Sequence, residues 1–103
     1  MANWHRVAAV GEVREGLPLL VSVEGRDICL LRHEDAFFAI DDVCTHAEAS
    51  LSEGEQHGGV IECPRHGGQF DIETWAALHY PAFAPVDTYP VKVEDDGIFV
   101  DVN

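Results

Sequence analysis

Two short stretches, Cys44-Thr45-His46 and Cys63-Pro64-Arg65-His66, constrain this chain more than anything else in it. Each offers one thiol and one imidazole, and 16 residues separate His46 from Cys63. Cys44, His46, Cys63 and His66 are therefore the candidate ligands of a single metal centre gripped by two facing loops. Soft or borderline donors two or three positions apart converge readily from one tight turn. Pro64 fixes a backbone angle inside the second stretch, and Gly67-Gly68 restore freedom straight after the ligand. By count alone, two Cys and two His satisfy tetrahedral zinc as well as an iron–sulfide cluster.

The pattern Cys44-x-His46…Cys63-x-x-His66-Gly67 resembles the Rieske [2Fe–2S] fingerprint, in which two Cys hold one iron and two His the other. The similarity extends to Leu51-Ser52-Glu53-Gly54, Val60-Ile61-Glu62, Gln69-Phe70-Asp71 and Pro81-Ala82-Phe83-Ala84-Pro85-Val86. These fall where the small Rieske ferredoxins of bacterial aromatic-ring-hydroxylating dioxygenase systems carry similar segments, so the resemblance covers nearly the whole chain. One position departs from it: the family usually has Gly where this chain has Trp75. A bulky residue resists positive φ, so the local turn is expected to differ there.

The resemblance implies an all-β protein, with a Rieske-like antiparallel β-sandwich base and an inserted cluster-binding subdomain over about residues 41–80. It implies one [2Fe–2S] cluster per chain, with Cys44 and Cys63 on the inner iron and His46 and His66 on the outer. It implies an electron carrier rather than an enzyme. The donor would be an NAD(P)H-dependent flavoprotein reductase, and the acceptor a terminal Rieske oxygenase that hydroxylates aromatic rings.

Spacing separates the cluster from zinc. Zinc modules favour Cys-x(2–4)-Cys and His-x(3–5)-His pairs, whereas each stretch here mixes the two types. Mixed pairs suit two irons bridged by sulfide, because like ligands from the two loops then meet at separate metals. Two ferric irons, two sulfides and two thiolates sum to zero charge, and to minus one after reduction. High-potential Rieske proteins of respiratory complexes place hydroxyl residues at positions that here are Gly68 and Phe70, and disulfide cysteines where this chain has Ala49 and Arg65. Without those donors, the expected potential lies near the low end of the Rieske range of about −150 to +300 mV.

Charge narrows the partners. Nineteen acidic residues stand against six Lys and Arg, leaving a net −13 over 103 residues. Such a field repels nucleic acid phosphates and anionic membranes, and favours a partner with a basic docking face. The start Met1-Ala2-Asn3-Trp4-His5-Arg6 lacks a secretory pattern, and no run approaches the ~20 apolar residues of a membrane span. Three cysteines, two assigned to metal and Cys29 left over, fit a reducing compartment. The expectation is a single domain over residues 1–103, soluble, cytoplasmic and monomeric.

Along the chain, strands are expected over Trp4 to Val10, Leu17 to Val23, Ile28 to Arg32, Ala36 to Ile40 and Val60 to Glu62. Turns are expected at Glu24 to Asp27 and His33 to Asp35, and Phe70 to Ile72 carries the chain away from the second ligand stretch. Leu51 to Gly59 reads as a polar connection, and Pro81 to Pro85 as irregular. Val91 to Glu94 and Ile98 to Val102 form the clearest hairpin, turning at Asp95-Asp96-Gly97. Cys29 reads as a buried, inert thiol on a strand. His5, His33 and His79 read as structural or solvated, and His57, between the ligand pairs, as exposed. Arg65, flanked by ligands, either is solvated or orients a partner. A catalytic Rieske oxygenase would need a mononuclear iron held by two His and a carboxylate, and no spare group of that kind shows suitable spacing. Nothing resembles the output region of a redox sensor.

Overall fold

The computed structural model describes residues 2–43, 50–64, 68–72, 77–79 and 87–102. The anticipated Pro81 to Pro85 irregularity and the turn at Trp75 lie outside the described residues. Every strand pair is antiparallel. Strands β1 (Trp4–Ala9), β11 (Gly97–Asp101) and β10 (Val91–Glu94) form one sheet in that order. A second sheet runs β2 (Leu19–Val23), β3 (Arg26–His33), β4 (Ala36–Asp41) and β9 (Thr88–Tyr89). A third runs β5 (Glu55–His57), β6 (Val60–Glu62), β7 (Gln69–Asp71) and β8 (Ala77–His79).

Strand β3 shows why the chain stacks this way. Ile28, Cys29, Leu30 and Leu31 are all buried, although successive side chains on a strand point to opposite faces. Both faces must therefore be covered. Ile28 and Leu30 pack with Ala8, Val23, Ala39, Ile98, Val100 and Val102 in the core shared with the first sheet. Cys29 and Leu31 pack with Ile40, Leu51, Ile61, Cys63, Phe70 and Ile72 in the core shared with the third. Each fully buried Leu or Ile contributes roughly 1.5–3 kcal/mol, so either core alone outweighs any surface contact.

Three hairpins turn on two residues with positive φ at both: Glu24-Gly25 (50° and 79°), Glu34-Asp35 (50° and 66°) and Asp95-Asp96 (50° and 63°). That geometry matches the right-handed twist of the flanking strands. Gly97 thus begins β11 instead of completing the turn. Pro18 stays outside β2, which starts at Leu19, since proline has no N–H for the ladder.

The reading of Leu51 to Gly59 as a polar connection needs correction. It contains a 3₁₀ turn, Leu51–Glu53, whose Leu51 is completely buried, and then strand β5. Gln56 ties β5 to the base: its amide donates to the Arg32 carbonyl (2.7 Å) and its oxygen accepts from the Gly16 N–H (3.1 Å).

Candidate metal centre

The two ligand stretches sit where elements end. Strand β4 stops at Asp41, and Asp42 and Val43 lead to residue 44. Val43 pairs as an isolated antiparallel bridge with Ser50, so the two residues that flank 44–49 are held side by side. Asp42, only 4% exposed, secures that junction. Its N–H donates to the Asp27 carbonyl (3.0 Å) and its carbonyl accepts from the Leu51 N–H (2.7 Å). Its carboxylate accepts from the Ser52 N–H (2.8 Å) and from the Ser50 hydroxyl.

The second stretch follows β6. Glu62 pairs with Gln69 across the β6–β7 ladder, and the Cys63 N–H donates to the Gly68 carbonyl (2.7 Å). Cys63 and Gly68, with Glu62 and Gln69 behind them, are therefore held together by backbone bonds. The Gln69 amide adds a cross-strand bond to the Glu62 carboxylate (3.0 Å). Cys63 is wholly buried among apolar neighbours that include Leu51, Ile61, Phe70 and Ile72.

Of the four predicted ligands, only Cys63 falls among the described residues; Cys44, His46 and His66 lie outside them, as does Arg65. The environment of Cys63 tests what the site can hold. A bare thiolate buried in an apolar floor is costly. A metal centre that neutralises it is not, and an oxidised [2Fe–2S] unit with two thiolates carries no net charge. The residues present fit that group.

The other candidates take structural places. Cys29 is buried on β3; burial first, and the Asp42 carboxylate second, push its thiol far above the usual range, so it stays protonated. His57 is half-exposed and pairs with Glu55 at 3.2 Å. His33 is nearly buried, with Nδ1 3.3 Å from Glu15 and Nε2 3.6 Å from Glu34. His5 lies on β1 with its Nε2 buried and 3.7 Å from Glu24. His79 lies on β8. Among the described residues, no group of three or more His, Cys, Asp or Glu is arranged to hold a metal.

Sequence reasoning passed over two residues that shape the site. Asp42 registered only as part of an approach to the first stretch. Gly54 appeared only within a family-like segment, yet a Cβ there would lie 2.0 Å from the Glu62 carbonyl oxygen, against the residue that delivers Cys63. Beside the first junction, a groove of about 430 Å³ is lined by Arg26, Asp27, Asp41, Val43, Asp87 and Tyr89. The Tyr89 hydroxyl donates to Asp41 (3.3 Å), and burial pushes its phenol up.

Comparison with known proteins places this arrangement. The family model for the Rieske [2Fe-2S] domain matches residues 3–90. The ferredoxin component of the naphthalene 1,2-dioxygenase system of Pseudomonas putida is 39% identical over 101 residues, spanning 98% of this chain and 97% of that one. Among solved structures, a ferredoxin of Sphingomonas yanoikuyae B1 superposes with a TM-score of 0.93 at 39% identity, covering 98% of this chain and all of that one. A chain from the complex of reduced oxygenase and oxidized ferredoxin in carbazole 1,9a-dioxygenase superposes with a TM-score of 0.89 at 36% identity, covering 95% and 92%. Among the described residues, no helix is long and apolar enough to cross a membrane.

Proposed function

The chain belongs to the Rieske [2Fe–2S] domain family, and on that premise we propose that it is the ferredoxin of a ring-hydroxylating dioxygenase system. It takes single electrons from an NAD(P)H-dependent flavoprotein reductase and delivers them to a terminal Rieske oxygenase. The observation that carries this reading is similarity at nearly full length, in both directions, to proteins named as ferredoxin components. The carbazole complex shows that a related ferredoxin meets its oxygenase directly.

Cys44 and Cys63 would hold the inner iron as thiolates, and His46 and His66 the outer iron. When bound, the cluster would supply a one-electron couple. The residues around Cys63 do the rest. Leu51, Ile61, Phe70 and Ile72 keep water from the thiolate side, and the closed bases of both stretches limit how far the ligands move between oxidation states. Phe70, fully buried beside Cys63, brings no hydroxyl donor to the ligand sulfur. Such donors stabilise the reduced state, and this supports a potential near the low end of the Rieske range.

The whole chain acts as one domain, with a cluster-binding part of about residues 41–80 that includes the separate sheet β5–β8. A protonated, unpaired Cys29 accords with a cytoplasmic location. The net charge of −13 directs the carrier to basic docking faces.

The ligand set is tested by spectroscopy. His46→Ala and His66→Ala should each abolish the Rieske absorption and EPR signals, and His57→Ala should leave them intact. A protein bleached by His57→Ala and not by His66→Ala refutes the assignment. Reduction by the cognate reductase should slow as ionic strength rises; a rate that stays flat removes the acidic surface from partner recognition.

A further inference from the structure

We propose that Asp42 is a positioning residue for the cluster: its carboxylate, with Ser50 and Ser52, sets the placement of the segment that bears Cys44 and His46. The inference rests on the ligand assignment above and adds to it a residue that touches no metal.

The hydrogen-bond directions follow from chemistry. An ionised carboxylate only accepts, so the Ser50 hydroxyl must donate to Asp42. With its proton committed there, the Ser50 oxygen is free to accept from the Ser52 hydroxyl, 2.8 Å away. The Ser52 N–H fills the other carboxylate oxygen at 2.8 Å. Charge-assisted bonds of this kind are roughly twice as strong as neutral ones. A buried carboxylate lacking them would be destabilising, so the arrangement persists only while all its donors stay in place.

Its location gives the clamp a role beyond stability. Asp42 lies two residues before Cys44, and Ser50 four residues after His46. The clamp therefore joins both ends of the ligand segment, and the Asp42 N–H anchors it to Asp27 on β3. Ligands carried between two fastened flanks would be presented in a narrower range of positions than ligands carried between loose ones. Freed at one end, the same segment would ligate in a broader set of geometries and release the cluster sooner.

The holoprotein provides the test. Ser50→Ala removes one donor and should load a cluster; Asp42→Ala removes the acceptor entirely. Cluster release to a chelator should accelerate about threefold in Ser50→Ala and at least tenfold in Asp42→Ala, with shifted or broadened EPR g values in both. Ser50→Thr, which keeps the hydroxyl, should restore the wild-type signal. Ser22→Ala cuts a bond of the same hydroxyl–carboxylate type (2.8 Å, to Asp27) on the exposed β2–β3 ladder and should change neither readout. If Asp42→Ala fails to fold, the Ser50 pair still decides. Lower thermal stability with unchanged release and g values would show a purely structural carboxylate and overturn the proposal. His46→Ala and His66→Ala run alongside: bleaching in them with no change in the Ser50 and Asp42 variants leaves the ligand assignment standing and sinks the clamp alone. Retention of the signal in those two variants overturns both.

Discussion

The bases of the two ligand stretches achieve the same closure by different means. At the second, β6 and β7 are neighbours in one sheet, so their ladder runs up to the ligand and ends in the bond from the Cys63 N–H to Gly68. The first links β4 of the base to the 3₁₀ turn before β5, which belongs to another sheet. No continuous ladder can join elements in separate sheets. A single bridge, Val43 to Ser50, stands in its place, and the buried Asp42 carboxylate supplies the missing bonds. Where topology provides backbone pairing, side chains are dispensable; where it does not, a buried acid with committed donors replaces it.

Both bases rest on one floor, and the largest expected effects come from removing it. Phe70 lies under the second base and Leu51 beside the first, both fully buried in the same core. Phe70→Ala should lower unfolding free energy by about 3–5 kcal/mol and Leu51→Ala by about 2–5 kcal/mol in denaturant titrations. Because they share that core, the double variant should depart from additivity by about 0.5–3 kcal/mol. Strict additivity would mean that the bases are supported independently.

Gly54→Ala comes next. The added Cβ collides with a backbone oxygen, not with a side chain that can swing away, so β6 or the preceding turn must shift. A loss of about 1–3 kcal/mol is expected, with lower cluster content per chain by iron and sulfide analysis. An alanine variant as stable and as fully loaded as wild type would show that the approach of Gly54 to Glu62 has slack.

Much of this was legible beforehand. Apolar runs revealed β1 to β4 and β6, and alternation revealed β10 and β11, whereas β7 lies where Phe70 to Ile72 was read only as carrying the chain away from the second ligand stretch. The short strands escaped because they carry no pattern to read. Glu55-Gln56-His57 has no apolar residue, and Thr88-Tyr89 is too short for any period; both are strands because an adjacent ladder accepts them. Turn positions were visible but not their edges, since Glu34-Asp35 and Asp95-Asp96 adopt positive φ without the glycine that usually announces it. At the site, the Cys and His stretches proposed as ligands were legible from local sequence. The roles of Asp42 and Gly54 were not, because each depends on partners eight or more positions away: Ser50 and Ser52 for one, Glu62 for the other.

The smallest expected effect sharpens the comparison most. Gln69 and Glu62 form a side-chain bond of 3.0 Å at the second base, superficially the counterpart of Asp42 with Ser50 at the first. It duplicates a closure that the ladder already makes, for Glu62 and Gln69 are also paired through their backbones. Gln69→Ala should therefore lower unfolding free energy by only about 0.5–1.5 kcal/mol, the net contribution of an ordinary hydrogen bond. The EPR g values and the rate of cluster release should remain those of wild type. Ser50→Ala, which removes a hydroxyl bonded to both Asp42 and Ser52, should move both readouts because no ladder stands behind it. If Gln69→Ala disturbs the g values as much as Ser50→Ala does, backbone pairing does not substitute for side-chain fastening at this site, and the distinction between the two bases fails.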